Sequence, residues 1–394
     1  MKVKLPNIYK VEIGTLVVVG VIFGFIFNAP VQVCCSVFRY AILGLLAIGI
    51  ILTIKQDLKK KKYINSYIFI SLILLFGLIS LNITQMPQST AAASLYTNIS
   101  VVLGFFAFRY YKKFKAILRY LIPLSFMVML YDLATLSYTI NLLGDVEHFT
   151  IDRAHGLFSY SKEAGSFVIF STLLFRNERK ILTILFFSAI LAGTRSAMIF
   201  VFLVFLTELF FDIKSRTTLK NILFAIFSIV VVFIFSYYYL AEHPSMLGRI
   251  EGSFNFSDSG THWYRFYIWN LYLNGFNDYS FINMLFGNLQ YLQNHFGNGA
   301  ENAYLTVLSN GGLVLFLMVY FPMSLFAILT IKNIRLFYPF VLLIGIFMFG
   351  RQGLEWAGGI VLWAYIFHIL HSKYFIDLIN KLIRRDKILI GAKL

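Results

Sequence analysis

An all-α polytopic membrane protein is the fold class this sequence predicts, and three observations predict it. Of the 394 residues, 59% are apolar and only 13% are charged, a balance outside the range of soluble domains. The apolar residues come in runs about as long as a bilayer crossing, and in lipid the backbone must satisfy its own hydrogen bonds. A transmembrane barrel strand would alternate in polarity, and these runs do not.

Twelve spans fit, at roughly 11–29, 34–54, 64–82, 91–108, 118–138, 161–175, 181–194, 197–211, 221–240, 302–331, 336–350 and 354–371. Ile13 to Phe27 lacks a small-residue cleavage site and is followed by Asn28 and Pro30, so it reads as a retained span and not as a signal peptide. Its Gly20 and Gly24 form a small-xxx-small pair suited to packing one span on another. Cys34 and Cys35 are adjacent, which suits neither a disulfide framework nor a metal site, and they read as buried small apolar residues. His368 and His371 stand one turn apart on the last span without a third ligand nearby.

These spans divide the chain into a block of nine over 1–240, an extracytoplasmic loop over 241–301, three spans over 302–372 and a basic tail over 373–394. The tail, from Lys373 to Arg385, reads as an amphipathic helix on the inner leaflet.

The net charge of +16 does not announce a nucleic acid, because the cations sit in short clusters between apolar runs. Twenty-seven of the 34 lysines and arginines fall in alternate loops, which places both termini in the cytoplasm. The outward cations are Arg39, Arg153, Lys162, Arg195, Arg249, Arg265 and Arg351, and all but one are arginine. A charge that only sets orientation can be either residue, whereas a planar fork that grips phosphate oxygens must be arginine. The outer face therefore reads as an anion-binding face.

Arg195 adds depth to that reading. The run before it, Ile181 to Ala192, is too short to cross about 30 Å of hydrocarbon. The turn Gly193-Thr194-Arg195-Ser196 is thus expected below the outer surface, where an arginine needs a wet cavity or a partner. Asp132, in the fifth span, is the candidate counter-ion. In the loop from Leu142 to Lys162, Arg153, His155 and Gly156 precede Glu163, which suits the N-terminus of the sixth span.

The long loop between Glu242 and Gly312 gathers polar and aromatic residues, as functional loops do. Thr261 to Phe276 reads as an aromatic helix, with Trp263, Tyr264 and Tyr267 at near-helical spacing and Arg265 and Trp269 on an adjoining face. Such a helix suits the headgroup layer, and Trp263, Tyr267 and Trp269 equally suit stacking on sugar rings.

Arg153 with Gly156 and Phe158 before a span, the Gly193-Thr194-Arg195-Ser196-Ala197 break, Arg265 followed by Trp269, and Leu285-Phe286-Gly287-Asn288 together resemble bacterial O-antigen polymerases and ligases. The resemblance runs from about Leu142 to Trp363. Its sharpest local match is Asn302, nine residues, then Gly312. In the ligases a histidine precedes that asparagine, whereas here Glu301 does, which favours the polymerase (Wzy type).

The resemblance implies a C-type glycosyltransferase-like fold in the bacterial cytoplasmic (inner) membrane. It also implies an undecaprenyl-diphosphate-linked oligosaccharide as substrate, inversion at the anomeric carbon and a chain-length regulator as a further partner. Arg153, Arg195 and Arg265, backed by Arg249, Arg351 and Asn302, are the expected diphosphate ligands. Glu301, and then Glu163, are the expected general bases. No metal and no nucleotide cofactor are expected. The competing readings are an O-antigen ligase acting on lipid A core and a non-catalytic lipid-linked oligosaccharide flippase.

Overall fold

The computed structural model describes residues 12–84, 88–135, 137, 139–140, 153–215, 230, 238, 261–288, 302–331, 333–349, 356–372 and 375–377. Among these residues every regular element is a helix. Almost all of the ninth expected span and of the basic tail lies outside the described residues.

The first expected span is broken in two. α1 (Ile13–Val21) runs through a π-helical turn (Ile22–Ile26) into α2 (Asn28–Cys34), with a bend of 82° at Phe27. A π-turn loosens the backbone ladder, and Pro30 sits in the first turn of α2, where its missing N–H leaves no bond unmade. α1 lies on α3 (Ser36–Lys59): a Cβ on Gly20 would come within 2.6 Å of the Leu46 Cβ, the close approach that small residues permit.

Cys34 and Cys35 are exposed, which corrects the expectation that they are buried. α2 buries its opening residues Asn28, Ala29 and Val31, so its far end is left outside. The Cys35 sulfur there accepts the Phe38 N–H at 3.3 Å and caps α3.

α4 (Ile64–Thr84), α5 (Gln88–Arg109) and α6 (Tyr111–Thr135) follow, and then three shorter helices, α7 (Ser161–Phe175), α8 (Arg179–Leu191) and α9 (Arg195–Ser215). After the long loop come α10 (Thr261–Asn277), α11 (Phe281–Phe286), α12 (Ala303–Thr330), α13 (Ile334–Phe349) and α14 (Trp356–Leu370). The centre is α7, buried continuously from Ala164 to Phe175, with α14 wedged between it and α5.

Among the described residues four helices, α3, α4, α6 and α12, are long and apolar enough to cross a membrane, and the bent pair α1–α2 makes a fifth. Their outward faces carry Leu45, Ile48 and Leu52 on α3, Ile68, Leu72 and Leu75 on α4, and Leu124, Met127 and Tyr131 on α6. Apolar stripes at helical spacing on the outside of a bundle are a surface for lipid to solvate. In such surroundings ring-on-ring burial gains little from leaving water, so close fit holds the core together.

One end of the bundle, the basic end, is tied by acids. Buried Asp57 accepts Arg109 Nε at 2.7 Å and Nη2 at 2.5 Å, with the Tyr67 hydroxyl at 2.9 Å. Glu178 pairs with Lys115 at 2.9 Å and Arg119 at 2.8 Å. Glu208 takes Arg335 at 2.8 Å and the Tyr338 hydroxyl at 2.8 Å. Cations that the sequence offers as orientation signals thus also staple helix ends. At this end His371 bonds Ser66 across 3.2 Å and His368 stacks on Tyr111 at 3.8 Å, so both histidines are packing residues.

Asp57→Asn leaves the Arg109 guanidinium beside a neutral amide in a buried setting. Breaking one side of such a pair costs on the order of 3 kcal/mol. The expected result is a clearly lower unfolding midpoint in detergent, and an unchanged midpoint would show that the staple carries little.

Candidate functional site

The opposite end of the bundle carries Arg153, Glu163, Arg195, Arg265 and Asn302 of the residues singled out above, in two halves.

The first half is built on the short helix α8. Its 13 residues rise about 20 Å, roughly ten short of a hydrocarbon crossing. The chain then breaks at Gly193 and starts α9 at Arg195. That break sits level with the first turn of α7: the Thr194 hydroxyl donates to the Ser161 carbonyl at 3.2 Å, and Thr194 fills the space a side chain on Gly165 would need. α8 is thus as short as the sequence implies, and Arg195, at the start of α9, is half-buried.

The segment 153–160 fills the space above α8. Ala154 N–H donates to the Leu191 carbonyl at 2.9 Å, Leu157 N–H reaches the Ser125 hydroxyl of α6 at 3.4 Å, and residues 154–158 are buried. Gly156 makes this approach possible, because it has φ +60° and a Cβ there would fall 2.7 Å from the Ser125 carbonyl oxygen. Phe158 closes the floor against Phe27 at 4.8 Å and Phe167 at 4.9 Å, so the bend after α1 packs into this half too.

Arg153, Glu163 and Arg195, 42 residues apart at the extremes, are thereby collected around one break. Glu163, in the first turn of α7, is half-buried and accepts the Ser159 N–H at 3.3 Å. Asp132 does not serve as expected. Its Oδ1 accepts both the backbone N–H (2.7 Å) and the hydroxyl (2.5 Å) of Thr139, and the described contacts hold no Arg195–Asp132 ion pair. That oxygen closes the end of α6, while Oδ2 is buried with no hydrogen-bond partner among the described residues.

Asp132 instead acts on His155, which is buried in the same segment. Burial holds the imidazole below its ordinary value of 6.5, and the Asp132 charge pulls the other way less strongly. A histidine neutral in the fold takes up a proton more readily when unfolded, so its contribution is complete above about pH 6.5 and is lost as pH falls toward the lower folded value. The melting midpoint is expected to drop between about pH 7 and about pH 5, and the drop should be smaller in His155→Gln. Equal drops in the two proteins would remove His155 from the account.

The second half lies where the long loop returns. Asn302 is the cap of α12: its Oδ1 accepts the N–H groups of Tyr304 at 2.9 Å and Leu305 at 3.1 Å. Ten residues on, α12 breaks at Gly312, whose φ of 63° and ψ of −164° belong to glycine alone. The Leu285-Phe286-Gly287-Asn288 stretch docks on this break. Asn288 N–H donates to the Ser309 carbonyl at 3.0 Å, and Ser80 of α4 donates to the carbonyls of Phe286 at 2.5 Å and Asn310 at 3.2 Å. Two motifs that stand apart in the sequence thus form one joint, which Tyr279 completes by donating to the Asn288 carbonyl at 2.6 Å.

α10 rests on the start of α12 through Ile268 and Tyr272 against Leu305, with Trp269 and Leu271 packed at the edge. Arg265 shares this inward stripe by helical spacing and is half-buried, while Tyr264 and Tyr267 face out, 45% and 48% exposed. Of the expected stacking residues, Tyr267 is presented to the surroundings and Trp269 is packed edge-on against Phe266 at 5.1 Å. The side chain of Trp263 and all of Arg249, Glu301 and Arg351 lie outside the described residues.

A ladder of rings joins the halves: Phe170 of α7 meets Phe347 of α13 at 6.1 Å, and Phe347 meets Tyr304 of α12 at 6.1 Å. Ser80 and Asn310 are positions the sequence reading missed, and Thr194 was named there only as a member of the break. Their one signal is a small polar residue inside or beside an apolar run. Searched against known proteins, the chain matches no family model, no curated protein and no solved structure.

Proposed function

We propose that the chain is a twelve-span glycosyltransferase of a bacterial inner membrane, with both termini cytoplasmic and its site facing the periplasm. It polymerises undecaprenyl-diphosphate-linked repeat units, moving the growing glycan onto the non-reducing end of a new lipid-linked unit with inversion and without a metal. The observation that supports this reading is the junction after α8, where Ala154 bonds Leu191 and Thr194 bonds Ser161, so that Arg153, Glu163 and Arg195 each stand within two residues of one of these contacts.

The chemistry asks for that set. As the acceptor hydroxyl attacks the anomeric carbon, the bond to the diphosphate oxygen breaks and negative charge grows on phosphate. Forked donors fixed in advance stabilise that charge, because they need no reorganisation when it forms. The acceptor proton goes to a carboxylate, Glu163 or Glu301. Arg265 and the aromatic face of α10 lie on the other half, suited to holding the glycan that extends from the lipid.

The test is a deletion strain and the banding of its lipopolysaccharide. One repeat unit on the core is the expected result. Bare core with accumulated lipid-linked polymer would instead make the protein a ligase, and precursor retained on the cytoplasmic side would make it a flippase.

A further inference from the structure

A cavity enclosed by the described helices lies at the other end of the bundle from the half-sites above. It opens at the basic end, about 300 Å³ in volume, where the end of α7, the start of α8, α9 and the α12–α13 turn come together. Its polar lining is Arg176, Asn177, Arg179, Glu208, Asn333 and Arg335, a surplus of two positive charges.

Glu208 is already saturated. One oxygen takes the Tyr338 hydroxyl at 2.8 Å, and the other takes Arg335 Nε at 3.2 Å and Nη2 at 2.8 Å. Arg176 stands off at 3.9 Å from this carboxylate and sends Nη1 to the Arg335 carbonyl at 2.7 Å. Its side chain is only 10% exposed. A guanidinium so enclosed, with a long ion pair to a carboxylate that Arg335 and Tyr338 also bond, has donors left to gain from an anion beside it. Leu182 and Phe205 supply an apolar wall on one side.

We propose that this cavity binds a phosphate-bearing anion and that its occupant is the headgroup of an anionic phospholipid. The volume sits at the lower end of ligand pockets, about 300–1,000 Å³, and suits a headgroup. The forked donors suit phosphate oxygens, the asparagines suit the ester and hydroxyl oxygens, and the apolar wall suits the start of an acyl chain. Basic pockets between spans on the inner side of a membrane are a recurrent form of lipid recognition. The assignment does not depend on the reaction proposed for the other end.

The test uses the full-length protein in neutral detergent, titrated with phosphatidylglycerol, phosphatidylcholine or inorganic phosphate while the melting midpoint is followed. Two variants are compared: Arg176→Gln, and Asn177→Asp, which adds a repelling charge at the rim and leaves the Glu208 staple intact. Phosphatidylglycerol is expected to raise the wild-type midpoint where phosphatidylcholine does not, with apparent affinity at least about tenfold weaker in both variants. A rise with inorganic phosphate alone, lost in the variants, keeps the phosphate site but overturns the lipid source. Equal responses of wild type and both variants to every addition overturn the site itself.

Discussion

Arg195→Lys is expected to abolish polymer formation while the protein still accumulates and melts as the wild type does. Lysine keeps the positive charge at the mouth above α8 but loses the planar fork, so two parallel bonds to a phosphate become one. Loss of one preorganised donor to developing charge costs about 10²–10³ in rate in well-studied hydrolases. In a strain, that shortens the product to single repeat units. The break itself is held by Thr194 and Gly165, which the substitution does not touch. Full-length polymer from Arg195→Lys would remove the guanidinium from the mechanism, and the rate of a purified preparation with lipid-linked substrate is the direct measurement.

Gly312→Ala is the second large effect, and it acts on the fold. A Cβ at this position would come 2.6 Å from the Gly287 nitrogen and closer still to the Leu285 carbonyl. These are backbone atoms of the docked stretch and cannot swing aside as a side-chain tip would. The residue also occupies a region of φ/ψ space that only glycine visits without strain, worth about 1–3 kcal/mol by itself. Gly312→Ala is therefore expected to expel the 285–288 stretch, with a melting midpoint lowered by several degrees and proteolysis after Asn288 accelerated. Gly345→Ala, on α13 where nothing lies within 4 Å of an added Cβ, is the control and should melt as wild type. If both variants melt alike, the joint is not a rigid one.

How far the sequence could be read depended on the range of the interaction. The short run before Arg195 announced itself, because length against bilayer thickness is local arithmetic, and α8 ends where that arithmetic puts it. The broken first span did not, since Ile22 to Phe27 are as apolar as the helix before them and a π-turn leaves hydrophobicity unchanged. The break inside α12 was half visible: the Gly312 motif was noticed, but nothing in the order of residues said that Leu285 to Asn288 would lie on it. The staples at the basic end were invisible for the same reason, because Asp57 and Arg109 sit 52 positions apart and look like ordinary members of charged loops. Asp132 misled because an acid within a span invites a distant cation, whereas its real partner, Thr139, is seven residues away.

The truncation of α8 carries one more consequence. Irregular backbone such as 153–160 survives at membrane depth only where protein or water satisfies it. Here the satisfying groups are protein: Ala154 N–H bonds the Leu191 carbonyl, and both residues are buried. Loosening 153–160 would leave the last carbonyl of α8 unpaired in an apolar setting, so the segment and the short helix are expected to stand or fall together.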